Sequence, residues 1–419
     1  MYKLEIKLKQ HTPLIHFQHD QEGATLRASE VKPKLDKFIL SKLTTEEKVQ
    51  GEHDGWIKSK NGSIWLDYRM RIEATGYDIW DMKKETDKFN NSTGKPISIS
   101  MPLFFGNINS ENPKKMSFCD GSVILIITTH FCDLKEIIDR YKISFFILNN
   151  FGTRQSKGFG SFMPELSNIS QYLHQDYAKF RWMLPGNIKF GSWDCFYEFF
   201  TAIEFFYKTI RSGVNQNDIY IKSLMFFYAL DREQYWDKRT IRYEFEHFSP
   251  NRNNDKGEKS DMSADGENRK EIARLYRDML GLSSQQAWKS YNDVISKEYV
   301  PTTENDKIER FKSPILIKPV FNNGGFDVYL IPSSIPERYI GAEFRISSKT
   351  CRNSFTMNTP SEFDVCDFLR FITDEGIVES MRETLTDIIS LAERNRKNKT
   401  KKIAKTILSI YNNIRYVEY

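Results

Sequence analysis

The chain has 419 residues, a net charge of +5 at pH 7 and a pI near 8.7. With 39% hydrophobic and 28% charged residues, it has the composition of a water-soluble globular protein long enough for two domains, not of a disordered or fibrous chain. The mild basic surplus permits a polyanionic partner, and no apolar run approaches membrane-spanning length, so a helical membrane protein is excluded and no membrane partner is expected.

Residues 2–9 alternate, with Tyr2, Leu4, Ile6 and Leu8 on one face and Lys3, Glu5, Lys7 and Lys9 on the other. This predicts a half-buried strand and does not resemble a signal peptide. A loop follows to about Ser29, carrying Thr12, Pro13 and Leu14, the histidines His11, His16 and His19, and Asp20. A helix is predicted over 29–43, with Ser29 as N-cap, Pro33 in the first turn and Leu35, Phe38, Ile39 and Leu43 on its buried face. Residues 44–62, polar with three glycines, read as a loop. Strands are predicted over 64–74 and 97–105, with a turn at 90–95 between them. Residues 116–129 read as a hairpin turning at Asp120 and Gly121. A helix is predicted from Leu134 to Leu148. This order is the split βαβ pattern of a ferredoxin-like domain, assigned to residues 1–185.

From about Gly186 the texture changes. Aromatic-rich helices are predicted over 196–210 and 218–230, a strand or extended arm over 239–248, a mobile loop over 250–268, and helices over 270–280 and 284–296. Residues 313–320 and 326–331 read as strands joined by a turn at Asn322, Asn323, Gly324 and Gly325. Helices over 361–372 and 377–392 lead into a basic run: Arg394, Arg396, Lys397, Lys399, Lys401, Lys402 and Lys405. Such a run is a solvated helix face or a phosphate-binding surface. The expected fold is α+β: two ferredoxin-like (RRM-like) domains with helical insertions, the second spanning 186–419.

The stretch from Asn149 to Phe162 carries the most chemistry. Gly152, Gly158 and Gly160 bracket Arg154 and Lys157, and Phe151, Phe159 and Phe162 lie between them. Glycine lets a backbone approach a bulky partner, backbone N–H groups can cup a phosphate, and the two cations can neutralise it. The spacing is neither that of a nucleotide-triphosphate loop nor of a dinucleotide fingerprint. The plainer alternative is a glycine-rich surface turn. The five cysteines have no metal-ligand spacing, their odd number suits reduced thiols in a cytoplasm, and no cofactor or metal is called for.

Three pieces taken together resemble the RAMP superfamily of CRISPR systems. They are Thr12, Pro13 and Leu14 followed by Leu26 to Ser29; Phe104, Phe105 and Gly106 before a strand; and the run from Gly152 to Ser161. A fourth, Arg310 to Ile317, is similar to a second-half strand of the first RAMP subunit of type III-B (Cmr) effector complexes. The resemblance implies a cytoplasmic RNA-binding subunit of an antiviral ribonucleoprotein, non-catalytic or weakly so. Its partners would be CRISPR guide RNA, target RNA and other type III effector subunits, with contact at the 3′ region of the guide or its paired target. The residues assigned to RNA are Arg27, Lys32 and Lys34 at the first helix, Gly152, Arg154, Lys157, Gly158, Phe159 and Gly160 in the loop, and Arg394, Arg396 and Lys397 in the basic run. Such contacts fix position and carry little base information, which suits a protein that must accept any guide. The rival reading is an endoribonuclease using His16 and His19 as acid and base, or Asp20 with a divalent metal. His130, ending an apolar strand, reads as a hydrogen-bonded histidine at a core or strand edge.

Overall fold

The computed structural model describes residues 1–16, 25–89, 96–103, 115–165, 169–216, 219–246, 273–288, 293–300, 308 and 310–419. The chain divides into two compact units: Met1–Glu204 with Leu316–Ile331 and Asn413–Tyr419, and Phe205–Ile315 with Pro332–Asn412. Both mix helix and strand, as expected of an α+β protein.

The first unit opens with strand β1 (Tyr2–Gln10), whose buried residues Ile6, Leu8 and Gln10 alternate with exposed lysines. Helix α1 (Ala28–Lys42) follows, burying Val31, Leu35 and Ile39 at helical spacing. Its N-cap is Arg27 rather than Ser29, with no side-chain cap, and Pro33 lies inside it. Residues 44–62, expected as loop, contain helix α2 (Thr45–Asp54) and the start of a hairpin. The Thr44 side chain accepts from Glu47 N–H and the Glu47 side chain accepts from Thr44 N–H, a reciprocal cap that offsets a weakly apolar face. Strands β2 (Ile57–Lys60) and β3 (Ser63–Leu66) pair, then β4 (Arg69–Asp81) enters the main sheet.

Residues 115–129 do not form a hairpin. They are one long strand, β5 (Lys115–Thr129), paired along β4 with a bulge between Thr75 and Tyr77. A Cβ on Gly121 would sit 2.0 Å from the Thr75 carbonyl oxygen, so this glycine serves close backbone approach and not a turn. Helix α3 (Cys132–Ile147) and strand β6 (Phe162–Pro164) complete the set. The sheet order is β4-β5-β1-β6, that is, the second, third, first and fourth strands of the set, with antiparallel neighbours.

The same order recurs. Strand β7 (Tyr177–Met183) precedes helix α4 (Trp193–Arg211), and far along the chain come β8 (Ile315–Asn322), β9 (Gly325–Pro332) and β10 (Arg415–Val417). Their sheet runs β8-β9-β7-β10, again second, third, first, fourth. The β8–β9 turn holds Asn323 and Gly324 at positive φ, the conformation such a tight hairpin requires.

The second unit contains a six-stranded sheet and several helices. Asp237–Glu246 is helical, not a strand or arm, and buries Ile241 and Phe245 four residues apart on one face. The predicted 218–230 helix is a two-stranded hairpin (Val214–Gln216, Ile219–Ile221) followed by the shorter helix Leu224–Asp231. Residues 270–280 and 284–296 were predicted helical; where described they give strands at Ala273–Arg274, Gln285–Trp288 and Asp293–Tyr299 around a 3₁₀ turn at Tyr276–Leu280. Pairing of Asp293–Tyr299 with Glu343–Ser348, about fifty residues on, overrode the local spacing. The expected 250–268 loop lies outside the described residues. Helices Val365–Thr373, Glu375–Arg394 and Asn398–Tyr411 agree with the apolar periodicity.

Candidate functional site

The glycine-rich stretch leaves α3 and re-enters the first sheet at β6. Both ends are held by one buried cation: Lys318 Nζ, on β8, donates to the carbonyls of Asn149 (2.9 Å) and Phe162 (3.1 Å). Burial pushes this ammonium well below the usual lysine range. Three more links tie the loop to the same strand. Asn150 Nδ2 donates to Ile317 O, Ser161 Oγ donates to Pro319 O, and Gly158 faces the Pro319 ring.

The inner wall of the loop is the Thr12–Ile15 segment. Thr12 Oγ1 donates to Gly158 O (2.6 Å) and accepts from Ser161 N–H (3.0 Å). Thr153 donates through both N–H and Oγ1 to Ile15 O, and Gly160 N–H donates to Pro13 O. Two glycines exist for this contact. Gly160 has φ +66° and a Cβ there would lie 2.0 Å from Phe151 O; Gly152 has φ +77° and its Cβ would lie 2.6 Å from Ile15 O.

This geometry corrects the expected role of the glycine amides. Gly152 N–H donates to Glu30 Oε1 (2.7 Å), Gly158 N–H to Gln155 O and Gly160 N–H to Pro13 O. All three are engaged inside the protein and are not offered to a phosphate. Phe159 is also removed from any base-stacking role: it is fully buried and stacks on Phe200 at 3.7 Å. Phe151 and Phe162 are buried as well.

What the loop shows to solvent is Arg154, an exposed residue at φ +60°, beside exposed Gln155; Lys157 is half-buried and its ammonium nitrogen is turned into the protein. Lys34 reaches the loop from α1, contacting Asn150 O, Gln155 Oε1 and Glu30, with its ammonium 4.9 Å from the Phe151 ring centre. Lys32 points elsewhere: it pairs with Asp36, donates to Leu66 O and caps the Tyr68 ring at 3.9 Å. Both lysines are therefore engaged in holding α1, and Lys34 alone joins the loop. Arg27, half-buried at the start of α1, and Glu30 act electrostatically on His16, which places all three together at this edge. Burial, then the Arg27 charge, push the His16 imidazole below its ordinary pKa, with Glu30 opposing.

His11 is buried and its Nδ1 accepts from Phe321 N–H at 3.0 Å. Burial, then the charges of Lys318 and Lys9, push it down to about 3. It is a neutral structural histidine. His19 and Asp20, and the motif at Phe104 to Gly106, lie outside the described residues. His130 is exposed just past the end of β5, so of the two expected placements the core one does not hold. Among the described residues no group of three or more His, Cys, Asp or Glu could hold a metal ion.

The basic run sits in the second unit, where Glu375–Arg394 turns into Asn398–Tyr411. Arg394, Arg396 and Lys397 are all exposed, with Arg396 at φ +54°. Lys401 pairs with Glu393 at 2.7 Å. Cations at a helix C-terminus also complement its dipole, so part of this charge is accounted for locally.

Lys318, Asn150, Ser161 and Glu30 were not singled out from sequence. Lys318 had a visible signal, a lysine inside the apolar run Ile315 to Val320. Its partners, more than 150 residues away, had none.

An α+β chain with two four-stranded sheets of the same strand order, and a pinned glycine loop opposite a Thr-Pro-Leu segment, has the features of a RAMP-type protein. The family model for the Cmr1 N-terminal domain matches residues 1–214, and that for the Cmr1 C-terminal domain matches residues 220–407. The chain belongs to the Cmr1 family, the first RAMP subunit of the type III-B CRISPR effector, the Cmr complex. Family membership implies the other Cmr subunits and guide RNA as partners. The comparison with curated proteins returned no match. No helix among the described residues is long and apolar enough to cross a membrane.

Proposed function

We propose that this subunit contacts the 3′ region of the guide RNA, or the target paired with it, through the outer turn of the glycine loop. The observation that carries the reading is the placement of Arg154. A non-glycine residue is held exposed at positive φ by a loop whose two ends are pinned through Lys318. A cation on a fixed stem contacts a phosphate without reordering the chain. Arg27 adds positive charge at the same edge, Lys157 adds it from within the loop, its ammonium being buried, and the glycines act as the scaffold. The turn at Arg394, Arg396 and Lys397 is proposed as a second phosphate contact.

The repeated strand order supports two ferredoxin-like domains, the second beginning at β7, with the texture change near Gly186 just after its first strand. The long excursion between α4 and β8 is then the insertion. A cytoplasmic location follows from the same reading.

Filter binding of guide RNA to the purified full chain tests it. Arg154→Glu combined with Lys157→Glu should lower affinity about tenfold or more and flatten the salt dependence by roughly one unit of slope per lost contact. Unchanged affinity together with unchanged assembly of the Cmr complex would overturn it.

A further inference from the structure

On the first unit, away from the glycine loop, α1 and the β2–β3 hairpin enclose a cleft of about 500 Å³. Its lining is Leu40, Pro33, Ile64 and Trp65, with Lys32, Asp36 and Lys37. Ile64 is 55% exposed and Trp65 37% exposed, unusual for residues so apolar on a short hairpin. The floor is polar and fixed. Asp36 is buried, and its Oδ2 accepts from Lys32 Nζ at 2.8 Å and, at 3.4 Å, from Leu66 N–H. Lys32 is in turn locked over Tyr68. Lys37, on the rim, is exposed and has no ion pair or hydrogen bond among the described residues. Lys58 stands directly across the hairpin from Trp65.

We propose that this cleft is an accessory nucleotide site that takes one unpaired base of a single-stranded RNA. Trp65 supplies a face for stacking, which any base can use. The volume suits one nucleotide, and a pocket that is mainly apolar with a few fixed polar groups is the usual form of a small-ligand site. Lys37 and Lys58 supply positive charge for the flanking phosphates. The charge argues for RNA over an apolar protein segment: Lys37 on the rim is an exposed cation, Lys58 beside it is only loosely paired with Asp67 at 3.9 Å, and the one carboxylate of the lining already faces Lys32.

The test uses the full chain with fluorescent single-stranded ten-nucleotide oligo(A) and oligo(U), and ultraviolet cross-linking followed by peptide mapping. Trp65→Ala, at an exposed site, should lower oligo(A) affinity about tenfold and abolish a cross-link in the 61–68 peptide. Lys37→Glu should weaken both oligonucleotides equally. Arg154→Glu should leave the 61–68 cross-link in place, which separates this site from the loop. Unchanged affinity and no cross-link in Trp65→Ala and wild type overturn the proposal. Loss of Cmr assembly in Trp65→Ala with RNA affinity unchanged also overturns it and makes the cleft a protein interface.

Discussion

The glycine loop and the basic helical turn looked alike as sequence: both are dense in cations and both suggested phosphate. Their structures differ in what the charge is doing. In the loop, three glycine amides and all three phenylalanines are turned inward and Lys34 of α1 is engaged against it, leaving Arg154 as its exposed cation. At the turn, Arg394, Arg396 and Lys397 are all exposed on the end of a helix. A glycine-rich basic motif can therefore be mostly internal framework, while a plain charge run keeps its charge on the surface. Glycine signals close approach of something, and here the something is the chain itself.

The largest expected effect tests the framework. Gly160→Ala drives a methyl group into Phe151 O at a positive φ and should cost at least ~3 kcal/mol by denaturant unfolding. Gly158→Ala meets the Pro319 ring at 3.3 Å and Ile317 at 3.5 Å, side chains that can give a little, and should cost about 1–2 kcal/mol, at its φ of +93°. If Gly160→Ala is as stable as wild type, the loop is not the packed scaffold described.

Next comes the pin. Lys318→Met removes the donor to two carbonyls while relieving a buried charge, and should cost ~2 kcal/mol net. Guide-RNA affinity should fall with it, because Arg154 loses its fixed stem. A stability loss with affinity intact would break the link between pinning and binding.

Acid should act on the same framework. His11 is held near 3 when folded against 6.5 when unfolded. The unfolded chain then binds more protons between those values, so stability is present above 6.5 and falls as pH drops through the window. The loss should be ~2 kcal/mol by pH 5. His11→Asn, whose carbonyl can accept from Phe321 N–H, should remove that part of the pH dependence. The same acid loss in the variant would assign it elsewhere.

The smallest effect belongs to the turn. Arg394→Glu with Arg396→Glu should leave stability within about 0.5 kcal/mol, since both side chains are exposed. It should weaken guide-RNA binding mainly at low salt. A loss of RNA affinity larger than that of the Arg154 and Lys157 pair would reverse the ranking of the two regions.

Much of the first unit was legible. The alternation in β1, the periodicity of α1 and α3 and the turn at Asn323 and Gly324 each depend on neighbours in sequence. Helix α2 was legible too, since Thr44 and Glu47 stand at capping-box spacing, but its polar surface hid it. The errors at 116–129 and 284–296 share one cause. Residues that locally suit a hairpin or a helix were captured by strands far away, at β4 and at Glu343–Ser348.

Sequence alone determined the class of fold, the family motifs and the surface charge of the last helices. These are set by side-chain period, short spacing and composition. Only the tertiary structure decided which groups of the glycine loop face outward. That outcome rests on Lys318, Pro319 and Phe321 arriving from a strand more than 150 residues later, and on Thr12 and Pro13 arriving from the start of the chain. Backbone N–H groups bond whatever acceptor the fold brings within 3 Å, and no local pattern records which acceptor that will be.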